Sequence, residues 1–228
     1  MTSINKVTIT NLNNEFQQFR TSILQSKTQN GTYLISQLSQ YEKKYAKLGC
    51  STNFAQMLYS FAQILKKQGL TDLAGIILSN LIKLPFIKPQ VKEMYINSTL
   101  EIYRESGDSL HALARLVDLK ILYKQTKQNH KYMQTLFDEE AELRKICANF
   151  KTAKQNFRTY SRINSLQSTY ELELAKVRVD ISKMLLNKNP KKAEALLNKA
   201  RATFIKAGRE KEVIFVNTLL SEISSKIH

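Results

Sequence analysis

The sequence predicts an all-α protein of about eleven helices, and three observations carry that expectation. Only six glycines and three prolines occur in 228 residues, whereas a sandwich or barrel needs a turn roughly every 8 to 12 residues. Apolar residues recur at intervals of three and four, as in Leu12, Phe16, Phe19 and Ile23 or Leu58, Phe61, Ala62 and Leu65, while period-two alternation is absent over any useful length. Five glycines, Gly31, Gly49, Gly69, Gly107 and Gly208, fall where one helical pattern stops and the next begins.

Taken in order, the first two patterns cover 11–29 and 32–48 and end before Gly49. Ser51 or Thr52 then caps a helix over 52–68, and Thr71 caps the next over 71–84. A helix over 89–106 stops at Gly107, where Asp108 caps 108–125. Three more follow over 128–147, 149–163 and 167–188. Asn189 with Pro190 pairs a cap with a proline at the first helical position and opens 190–207. The last helix, 209–226, carries an apolar face of Val213, Val216, Leu220 and Ile223.

A register joins these helices in pairs. Ala74, Ala112, Ala153 and Ala193 are separated by 38, 41 and 40 residues, and each sits early in the second helix of a pair. Five residues earlier stand Gly69, Gly107, Ala148 and Lys188, and four later Leu78, Leu116, Phe157 and Leu197. Twelve residues before the alanines stand Ala62, Leu100, Ala141 and Ile181.

This pattern resembles the tetratricopeptide (TPR-like) repeat, in which a small residue packs two helices closely and large ones fill the groove between repeats. The resemblance covers about residues 55 to 207, best in 58–85 and 96–119. It departs from the family in a spacing longer than 34 residues, in having no tryptophan, and at Arg144 and Lys188. It implies antiparallel helix pairs stacked as a TPR-like α-solenoid over 51–207, with 1–50 as an N-terminal helical cap and 208–228 as a C-terminal capping helix, all one continuous domain. A related α-solenoid or an irregular bundle is the alternative, and a terminal face could instead form a homodimer.

Nothing in the sequence points to catalysis, to a cofactor or to a metal. GxxxxGK(S/T), GxGxxG and GxSxG are absent, and His111, His130 and His228 are isolated. Cys50 and Cys147 belong to no CxxC and suit buried thiols in a reducing compartment. The run Asp138, Glu139, Glu140 and Glu142 reads as a solvated helix start. No apolar run is long enough for a membrane span, so a cytoplasmic chain is expected.

Two binding surfaces are predicted. The resemblance implies a concave face built from the first helix of each pair, and on it fall Gln56, Tyr59, Gln63, Asn97, Glu101, Asp138, Glu142 and Arg178. That face, mixed in polarity, suits a peptide or helix of another protein, including a basic segment but not a C-terminal acidic peptide, so a non-enzymatic scaffold or adaptor is the first expectation. The net charge of +16 supports a second. Residues 143–169 hold six cations and no acid; Lys151, Lys154, Arg158 and Arg162 would lie within about 80° on a helix, a ridge about 16 Å long for a nucleic-acid backbone. A further basic region runs from Lys183 to Lys211 and includes Lys206.

Overall fold

The computed structural model describes residues 3–26, 30–156 and 161–227, and among them it contains ten helices and no strand. These are α1 (Ser3–Gln25), α2 (Gly31–Lys47), α3 (Ser51–Lys67), α4 (Thr71–Ile82), α5 (Pro89–Glu105), α6 (Ser109–Gln125), α7 (Asn129–Asn156), α8 (Ser161–Leu185), α9 (Pro190–Lys206) and α10 (Glu210–Ile227). They form two compact units that divide at Gly107, within the stretch read as repeats.

The helix ends follow local chemistry. Asp108 accepts from the His111 amide and Asn189 from the Lys192 amide, both as expected of caps. Ser51 and Thr71 instead are first helical residues, and neither Cys50 nor Leu70 before them supplies a side-chain cap. Gly107 ends α5 at φ 74°, a left-handed conformation that costs a residue without Cβ little. After α6 the same conformation is taken by Lys127 at φ 55°, a stop that no glycine announces. Gly31 opens α2 behind the Asn30 cap, and a Cβ there would meet the Ile76 side chain at 2.7 Å.

In the first unit the helices pack as α3 on α4 and α4 on α5, with α2 against both α3 and α4. Phe16 of α1 is fully buried and meets Tyr41 of α2 edge-on at 5.2 Å and Phe54 of α3 at 5.3 Å. Tyr45 stacks on Phe54 at 4.6 Å. Tyr59 of α3 packs on Tyr95 of α5 at 5.0 Å, and Lys66 farther along α3 reaches Glu101 farther along α5, so these two helices run parallel and side by side.

In the second unit each helix packs on the next from α6 to α10. Pairing of Glu140 with Arg178 and of Phe150 with Tyr170 makes α7 and α8 antiparallel. Ser182 is fully buried and donates to the Ala193 carbonyl at 3.2 Å, the close approach that small residues allow. Ala74, Ala112 and Ala193 are all fully buried.

Three boundaries correct the sequence reading. Helix α1 starts at Ser3 rather than at 11, and α8 at Ser161 rather than at 167. The helices expected over 128–147 and 149–163 are not separate: α7 runs unbroken to Asn156, which gives ten helices where about eleven were read. No glycine or proline lies there to stop it, and its buried stripe of Leu136, Leu143, Ile146 and Cys147 continues into Phe150, which stacks on Tyr170. Ala153 therefore shares a helix with Ala141, and the third helix pair of the register does not form between those two segments.

Candidate functional site

Two surfaces gather residues singled out in the sequence, one in each unit. In the first, Gln56 and Asn97 are exposed while Tyr59 and Gln63 are half-buried. The Tyr59 hydroxyl lies 3.4 Å from Oγ of Ser98 on α5, a residue that follows Asn97 in the chain and lines one depression with Asn97 and Glu101. Glu101 accepts from Lys66 at 2.7 Å, which raises the Lys66 pKa. Met94, Asn97, Glu101 and Arg104 line a shallow depression of about 530 Å³. The spacing of those four at three and four along α5 was available in the sequence, although only two were named.

The second unit rearranges the expected acidic face. The run Asp138, Glu139, Glu140 and Glu142 is not a solvated helix start: it lies in the middle of α7, with side-chain exposures of 6% for Glu139, 7% for Glu140 and 3% for Glu142. Successive residues point about 100° apart, so neighbouring acids meet different helices. Glu139 accepts from Lys120 of α6 through both oxygens at 2.7 Å. Glu140 turns toward α8 and accepts from Arg178 Nε at 3.1 Å, while Arg144 reaches its other oxygen at 3.3 Å. Glu142 accepts from Lys145 at 3.1 Å, and Asp138 from the Gln134 amide at 3.0 Å. Burial pushes the Glu139 carboxyl above its ordinary value and Lys120 partly offsets it.

These pairs leave a basic depression. Arg144 and Lys151 of α7, Arg178 of α8 and Lys206 of α9 line a pocket of about 510 Å³, with Glu171 as the carboxylate among them. Arg178 was assigned to the protein groove and Lys151 to the nucleic-acid ridge, and α7 and α8 bring the two together. Of the rest of that ridge, Arg158 and the side chains of Lys154 and Arg162 lie outside the described residues. Lys151 lies on α7 and Arg162 on α8, and because these two helices run antiparallel the angular spacing of one continuous helix does not apply across all four.

Cys147 also lines this pocket, buried, with its thiol pushed up by desolvation. Cys50 is likewise free and buried. His111 Nδ1 lies 2.6 Å from Asp108 Oδ2 at a helix start. Burial raises the Asp108 pKa, but the hydrogen bonds from His111 outweigh it and the net direction is downward. Among the described residues no group of three or more His, Cys, Asp or Glu side chains could hold a metal ion, and no helix is long and apolar enough to cross a membrane. No protein-family model matches the chain, and no curated protein matches its sequence.

Proposed function

We propose that this chain is a non-enzymatic, TPR-like helical scaffold that holds an acidic segment of another protein. The observation that carries the reading is the convergence of Arg144, Lys151, Arg178 and Lys206 from three helices around one open depression. Glu140 tethers Arg144 and Arg178, so their guanidinium groups are pre-positioned and little side-chain freedom is lost on binding. Lys206 remains largely exposed beside Glu171. The parallel order of α3 and α5 with α4 packed on both supports the stacked helix-pair part of the reading.

An acidic peptide fits this site better than a nucleic acid. Phosphate-backbone binding gains from many contacts in line, whereas four cations interrupted by Glu171 suit a few separate carboxylates. The test is fluorescence anisotropy with a labelled peptide of about twelve residues alternating Asp or Glu with Leu, beside a neutral peptide and single-stranded RNA. Wild type should prefer the acidic peptide, and Lys151→Glu with Lys206→Glu should weaken it about tenfold. Equal affinity for acidic and neutral peptides overturns the proposal. Stronger RNA binding, with the salt slope lowered by about two contacts in the double variant, makes nucleic acid the ligand instead.

A further inference from the structure

The first unit contains a second pocket, of about 320 Å³, lined by α1, α2 and α3 and built around an arginine. Arg20 follows Phe16 and Phe19 on the inner side of α1, and its guanidinium lies 5.3 Å from the centre of the Phe61 ring. Its Nε is buried and has no hydrogen-bond partner among the described residues. Burial lowers the Arg20 pKa, with no neighbouring carboxylate contributing to the shift. A guanidinium has five N–H donors in a planar fork; with Nε closed off from solvent, the terminal nitrogens are the ones a ligand entering the pocket would meet.

The lining supplies what a ligand needs besides that cation. Asn13, Asn53, Gln56 and Ser60 are neutral and polar, while Ile9 and Met57 are apolar. Tyr45 donates to Asn13 Oδ1 at 2.8 Å, which leaves the Asn13 amide nitrogen as a donor. Burial pushes the Tyr45 phenol up to about 12, so it keeps its proton and does not compete with an incoming anion. One cation among neutral donors balances one negative charge; a doubly charged phosphate would leave an excess in a partly desolvated place.

We propose that this pocket binds a singly charged carboxylate carrying a small apolar body, with Arg20 gripping the carboxylate and the Ile9 and Met57 side receiving the body. The inference is independent of the acidic-segment reading, which concerns the other unit. The carboxylate can belong to a free small acid or to a glutamate side chain of a polypeptide, and both place the same group on Arg20.

The test uses the full chain labelled with ¹⁵N, and follows the arginine side-chain Nε resonances while hexanoate, benzoate, a blocked Gly-Glu-Gly peptide, hexanamide or inorganic phosphate is added. Hexanoate, benzoate or the peptide should shift one Nε signal that is missing in Arg20→Met, and the variant should bind them about tenfold or more weakly. Binding of hexanoate or benzoate identifies a free acid; binding of the peptide alone identifies a protein side chain. Arg20→Lys keeps the charge but loses the planar fork and should retain only part of the affinity. Should Arg20→Met fail to fold, the wild-type titration and Arg20→Lys still decide. Unchanged Nε signals with every carboxylate, equal binding of hexanamide, or a preference for phosphate overturns the inference.

Discussion

The two units solve burial differently. The first is centred on rings: Phe16, Tyr45, Phe54, Phe61 and Tyr95 are all nearly or fully inaccessible, and its ion pairs, such as Lys44 with Glu15, stand at the surface. The second has an aliphatic interior with Phe204 as its one fully buried ring among the described residues, and it takes Glu139, Glu140 and Glu142 inside with cations around them. A ring core is held by area and shape, which salt and acid hardly touch. A core that includes carboxylates depends on every charge keeping its partner, and thus on pH. The two proposed binding surfaces differ in the same way: partly paired cations flank a recessed carboxylate in one, and a lone arginine lies against a ring in the other.

That contrast can be broken at its strongest point first. Phe16→Ala removes a buried ring in contact with several others and should cost about 3–5 kcal/mol, read from denaturant unfolding. The loss should be the same at pH 5 and pH 8. A pH-dependent loss would mean that ionic contacts govern the first unit as well.

Next is Lys120→Met, which strips the partner from Glu139 and should cost about 3 kcal/mol at neutral pH. The sign with pH follows from the raised Glu139 pKa. The folded chain holds that proton to higher pH than the unfolded chain does, so this group's contribution falls as pH rises from the ordinary carboxylate value through the raised one. Lys120→Met should widen that interval, and Glu139→Gln should abolish its part of the slope at a smaller loss, because Lys120 can turn to water. Equal pH profiles for the wild type and both variants would remove the ionic interior from the comparison. The smallest effect belongs to Lys66→Ala, whose pairs with Glu101 and Glu105 are partly solvated; the cost should stay below about 1 kcal/mol and shrink in high salt.

Much of the fold was legible in the residues. The stripes of Leu12, Phe16 and Phe19 and of Leu58, Phe61 and Leu65 are interior faces, and Asp108 and Asn189 cap the helices they were read to cap. Ala74, Ala112 and Ala193 are fully buried, as small residues packing close helices would be. The boundary read at 148 does not hold: neither glycine nor proline stands there, and Asn149 does not stop a helix whose apolar stripe continues on both sides of it. Arg20 also left a trace, a charge placed among the apolar residues of α1, but nothing in its spacing said that Phe61 would lie beneath it.

Periodicity, caps and glycine punctuation act within a few residues, so the sequence by itself determined that the chain is helical, where most helices stop and which faces turn inward. It could not determine which charge meets which, because Lys120 and Glu139, Glu140 and Arg178, or Lys151 and Lys206 become neighbours only when helices from different parts of the chain pack together. The run of acids on α7 is the clearest case. Its composition suits a solvated helix end, and only the packing of α6 and α8 on either side makes it the ionic interior of the second unit.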